Sequence, residues 1–96
     1  HHTSLGTEVS LLRKQTSQTG DEARGVQAAL AAKREELALL NEELARTMEW
    51  LSKGYTTRAS VSGLQREVIK ARGEVGSLSA KLAELQGKRA EQQLKS

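Results

Sequence analysis

Cysteine, proline and phenylalanine are absent from the 96-residue chain, and Trp50 and Tyr55 are its only aromatic residues. Without cysteine there is no disulfide framework, no Cys-ligated zinc and no thiol nucleophile. The near absence of aromatics argues against a β-sandwich or an α/β enzyme, both of which fill their cores with such side chains. Histidine occurs only at positions 1 and 2, ahead of Thr-Ser, where it reads as the remnant of a purification tag. The remainder then offers no histidine to hold a metal or to act as a general base. No run of 18 apolar residues is present, so nothing here reads as a membrane span.

What remains is a helical composition. Ala, Glu, Lys, Leu and Arg fill 52 of the 96 positions, the profile of long helices or a coiled coil. A chain this short holds at most one compact domain with a thin core. The net charge is +3, and the positive excess is concentrated in the middle: residues 46–72 carry 6 basic and 2 acidic side chains.

The apolar period locates the helices. Val61, Leu64, Val68, Ala71, Val75, Leu78, Leu82 and Leu85 alternate at spacings of three and four, the a/d seam of a coiled-coil helix. Leu5, Val9, Leu12, Ala23, Val26, Leu30, Leu37, Leu40, Leu44 and Leu51 occupy one continuous heptad frame in the first half, interrupted only by Thr16, Thr19, Lys33 and Thr47. Between the seams lies Ser52-Lys53-Gly54-Tyr55-Thr56-Thr57. Gly54 suits the left-handed residue that ends a helix, Lys53 complements the C-terminal dipole, and Trp50 and Tyr55 take the positions whose side chains meet in a Schellman motif. Thr56 or Thr57 caps the next helix. Two helices joined so briefly run antiparallel. The expected fold is therefore all-α, an antiparallel two-helix coiled-coil hairpin. Zipping back from the turn sets Leu44 near Leu64 or Val68, and Leu37 near Ala71 or Val75.

A weaker break is readable at 16–25, where Thr19-Gly20-Asp21-Glu22 resembles a capping box. A separate short N-terminal helix and one continuous helix are both compatible with it. The resulting division is a tag remnant at 1–2, an N-terminal helical segment at 3–18, an ascending helix at 20–52, a tip at 53–57 and a descending helix at 58–96. In either register most or all of Leu5, Val9 and Leu12 face beyond the end of the second helix, as in a truncated segment whose partner is another molecule. Gly63, Gly73, Gly76 and Gly87 fall off the seam, at about 1 kcal/mol each relative to Ala. They fit either close approach of a neighbouring helix or a tolerant solvated surface.

Catalysis finds no support. No phosphate-cradling Gly-rich loop occurs, no metal-spaced cluster and no base for Ser or Thr. Glu35, Glu36, Glu42 and Glu43 stand beside Lys33, Arg34 and Arg46 as a solvated salt-bridge surface. Neither a cofactor nor a metal is expected.

The stretch from Glu36-Leu37-Ala38-Leu39-Leu40-Asn41-Glu42-Glu43-Leu44 through Trp50-Leu51-Ser52-Lys53-Gly54-Tyr55-Thr56-Thr57 to Leu64-Gln65-Arg66-Glu67-Val68 resembles the hairpin of periplasmic adaptors, the membrane fusion proteins. Within that family it is most similar to HlyD-type adaptors of type I secretion. Adaptor tips carry an Arg, a Leu four residues on, and a Ser or Thr seven residues later, matched here by Arg46, Trp50 and Thr57. Trp50 replaces the Leu, with Leu51 beside it, which leaves a bulkier contact or a one-residue shift open.

The resemblance implies a protein anchored in the bacterial inner membrane and working in the periplasm, self-associated as a hexameric ring. Its hairpin tips would meet a TolC-like outer-membrane channel, and other parts of it an inner-membrane ABC transporter. The tip residues it implies are Arg46 as a charge-assisted donor, Trp50 and Leu51 as apolar anchors, Tyr55 beside them, and Thr57 as cap and contact. Two other classes compete. A plain coiled-coil spacer explains the heptads but has no need of Trp and Tyr beside an Arg. A basic arm for nucleic acid is suggested by Arg46, Lys53, Arg58, Arg66, Lys70 and Arg72, but interleaved acids and two aromatics argue against it.

Overall fold

The structure, a computed structural model, describes residues 2–96, with side chains from Ser4 onward. Of the tag-remnant reading of 1–2, His1 lies outside the described residues. Two helices account for the fold: α1, His2–Ser52, and α2, Arg58–Lys95. They pack against each other as an antiparallel hairpin, with no strand among the described residues, as the matched seams predict.

The chain divides into two compact units, Ala29–Ser77, which contains the turn, and His1–Ala28 with Leu78–Ser96. In the turn-bearing unit, buried and half-buried side chains follow the seam. On α1 they are Leu30, Lys33, Leu37, Leu40, Leu44, Thr47 and Leu51; on α2 they are led by Val61, Leu64, Val68, Ala71 and Val75. Thr47 is accommodated on this apolar stripe because its hydroxyl donates to the Glu43 carbonyl at 2.8 Å, so burial leaves no unpaired donor. Leu44 lines a groove with Val68, one of the two neighbours its spacing allowed.

The other unit shows why no short N-terminal helix forms. Of the two readings left open for 16–25, the continuous helix is the one observed: the segments 3–18 and 20–52 lie in one uninterrupted helix. A capping box would need the Thr hydroxyls to accept from amides that follow them. Instead Thr16 donates back to the Leu12 carbonyl at 2.8 Å and Thr19 to the Gln15 carbonyl at 2.9 Å, contacts that belong to a helix interior. Gly20 is tolerated there because the Arg89 guanidinium lies over it: a Cβ at this position would stand 3.0 Å from Cζ. Of the three apolar residues expected to lack an internal partner, Leu5 and Val9 are exposed, while Leu12 is half-buried. Leu85, 2% exposed, is the most buried hydrophobic side chain described.

Candidate functional site

The turn is built by backbone chemistry. Gly54 has φ +78°, a conformation that costs any residue with a Cβ. Adopting it lets the Tyr55 amide donate to the Trp50 carbonyl at 2.9 Å and the Gly54 amide to the Leu51 carbonyl at 3.0 Å. These two bonds are the Schellman pair, and they satisfy carbonyls that the end of α1 would otherwise leave open. Thr57, rather than Thr56, caps α2. Its hydroxyl accepts from the Ser60 amide at 3.2 Å, three residues into the helix, and lies 3.1 Å from the Ser60 hydroxyl. Both helix ends at the tip are thus fixed by local bonds.

On this frame Arg46 and Trp50 lie four residues apart on α1 and share a face. Arg46 is exposed and has no ion-pair partner among the described residues. Glu49, a candidate partner for it, is taken by Lys53 at 3.5 Å. Trp50 is 49% exposed and Tyr55 76% exposed, whereas Leu51 is half-buried in the seam. The protein therefore presents a free guanidinium and two large aromatic side chains around a turn that needs none of them for its hydrogen bonding.

Sequence spacing did not reveal the ion pair that, among the described residues, joins the helices. Lys33 sits on the seam with its side chain 24% exposed, and its Nζ reaches Glu74 Oε2 at 2.6 Å and Glu36 Oε2 at 2.8 Å. The Glu36 hydrogen bond, followed by that of Glu74, raises the Lys33 pKa above its ordinary 10.5. The Lys33 hydrogen bond holds Glu74 below the ordinary 4.5. A lysine on an apolar seam signals a carboxylate across it, but which one depends on register. The remaining ion pairs described, such as Arg24 with Asp21 and Lys81 with Glu84, join residues three or four apart in the sequence.

The pair makes stability depend on pH with a definite sign. Glu74 contributes fully above about pH 4.5, and its contribution is lost as pH falls through its lower folded value. Lys33 contributes fully below 10.5 and loses its contribution as pH rises through its raised value. Thermal unfolding of Glu74→Gln should therefore show a smaller drop in Tm than the parent between about pH 6 and about pH 3. Parallel pH profiles for the two chains would show that the contact contributes nothing to stability.

Among the described residues no group of His, Asp and Glu is disposed to hold a metal, and no helix is long and apolar enough to cross a membrane. A family model described as AprE, long alpha-helical hairpin, matches residues 1–96. No curated protein and no solved structure matches the chain.

Proposed function

The chain belongs to the AprE long α-helical hairpin family, whose namesake is an adaptor of a type I secretion system, and on that premise we propose that its tip docks on an outer-membrane channel of the TolC type. The observation that carries the reading is the free, exposed trio of Arg46, Trp50 and Tyr55 around a fully bonded turn. Arg46 donates to carboxylates or carbonyls of the channel, where charge-assisted bonds are stronger than neutral ones. Trp50 and Tyr55 supply the apolar body and polar edge typical of interface anchors, with Leu51 offering the part of its side chain left outside the seam. Thr57 caps α2 and borders the contact. Through the rest of the adaptor the hairpin bridges this channel to an inner-membrane ABC transporter in the periplasm, with copies associated in a ring of six. The hairpin itself does no chemistry and takes no cofactor.

Secretion of the cognate substrate by cells carrying full-length adaptor variants at equal abundance tests the reading. Arg46→Ala should cut export while changing stability by about 0.5 kcal/mol or less, because an exposed Arg gives way to a better helix former. Trp50→Ala and Thr57→Ala should also cut export. Lys81→Ala and Glu84→Ala, which open an exposed pair on α2, should leave it near normal. Normal export by all three tip variants would make the segment a coiled-coil spacer without a docking role.

A further inference from the structure

The Ala29–Ser77 unit has two flanks of different chemistry. One groove beside the seam is lined by Lys33, Glu36, Leu40, Glu67, Lys70 and Glu74, with Ala71 at its floor. The other is lined by Leu44, Gln65, Val68, Ile69 and Arg72. Seven-residue spacing extends both. Glu43 continues the stripe of Glu36 on the first flank, where Lys33 is held by Glu36 and Glu74 and Lys70 is the other base of the groove lining, beside Glu67. Arg34 and Met48, each four residues after a seam leucine, lie on the stripe beside Leu44. Along that second flank, from residue 31 to 52 on α1 and from 62 to 76 on α2, the positions next to the seam hold no carboxylate. They do hold exposed apolar surface, with Met48 at 50% and Ile69 at 64%.

The charges on the two flanks are complementary and unused. Arg34 and Arg72 on one, Glu43 and Glu67 on the other, are all exposed, and none has an ion-pair partner among the described residues. Lys33 opposite Glu74 fixes the register. Counting from that contact, Arg72 stands at about the level of Arg34, and Glu67 near that of Glu43. Arg34 and Glu43 are nine residues apart on α1 and Arg72 and Glu67 five apart on α2, about 13 and 8 Å at 1.5 Å per residue, so a displacement of roughly 10 Å along the helix axis brings each arginine of one copy to within a few ångströms of level with a glutamate of a parallel neighbour.

We propose that copies of this chain associate side by side and head-to-tail in the rotational sense, the Arg34–Arg72 flank of each against the Glu43–Glu67 flank of the next. This rests on the self-association in the reading above and assigns its surfaces. The contact is heterologous, so it leaves one flank of each type free at the ends, and it closes into a ring where the hairpins tilt against the ring axis enough to absorb the displacement along their own axes. Met48 and Ile69 are covered by it. The two arginines face carboxylates, whereas a two-fold contact of this flank with itself would set arginine against arginine.

The test is sedimentation equilibrium of the 96-residue chain at low and high salt, with charge-reversed variants whose helix content is checked by circular dichroism. Arg34→Glu/Arg72→Glu and Glu43→Arg/Glu67→Arg should each associate about tenfold more weakly than the parent, a loss of about 1.4 kcal/mol. An equimolar mixture of the two should recover association, and so should the chain carrying all four reversals. Because the protein has no cysteine, Ile69→Cys adds a single thiol. Oxidation should give little disulfide-linked dimer, since this flank does not face itself. Efficient Ile69→Cys cross-linking, association indifferent to the reversals, or a parent that stays monomeric to about 1 mM would each overturn the proposal. Tip docking is read separately by export in Arg46→Ala cells, so either idea can fail while the other stands.

Discussion

Leu85→Ala should destabilise the protein by about 2 to 3 kcal/mol, toward the lower end of the range for buried leucines. Leu85 is 2% exposed, so truncation removes nearly a full side chain of buried surface. The cost stays at the lower end because a seam between two helices has neighbours on few sides, and the remaining side chains can close part of the cavity. For a chain of this length the change corresponds to a Tm lower by roughly 10 to 20 °C. Leu94 provides the internal control. It is 90% exposed, and Leu94→Ala should shift stability by about 0.5 kcal/mol or less. Thermal unfolding followed by helix circular dichroism separates the two, and equal shifts would show that Leu85 is not part of the core.

The contrast between those leucines is also the measure of what the sequence could reveal. Every expected seam position from Leu12 to Leu51 on α1, and from Val61 to Leu85 on α2, is removed from full exposure. A three-four alternation over many turns admits only one helical face. The turn was equally readable, because Gly54 soon after the last seam residue Leu51, with threonines at 56 and 57, has few alternatives. Where two partners compete for one group, the sequence was silent. Thr16 and Thr19 could bond backward to carbonyls or forward to amides, and the backward bonds make α1 continuous. Whether Thr56 or Thr57 caps α2 turned on one residue of backbone path. The Lys33–Glu74 pair needed the register that the repeat leaves ambiguous by one turn. Met48 and Ile69, apolar but off the seam, were passed over in the sequence because the repeat marks only the buried stripe. For the tip, sequence supplied the residue types; the structure added that Arg46 is unpaired and that Trp50, not Leu51, faces outward.

Gly54→Val should be the most damaging single change at the tip, costing about 2 kcal/mol, because a β-branched side chain is forced into a left-handed backbone. Nothing lies within 4 Å of the Cβ this glycine lacks, so the penalty comes from backbone conformation alone and not from a clash. That separation makes a graded series informative. Gly54→Asn should cost only a few tenths of a kcal/mol, since Asn visits the left-handed region and is itself found at helix C-termini. Gly54→Ala should fall between the two, at about 1 kcal/mol. Relief of the strain would require giving up the Tyr55 to Trp50 and Gly54 to Leu51 bonds, and these bonds are what orient Trp50 and Tyr55. Export should therefore follow the same order as stability, with Asn near the parent and Val lowest, at equal adaptor abundance. If Gly54→Val matched Gly54→Asn in both Tm and export, the left-handed turn would not be what presents the docking residues.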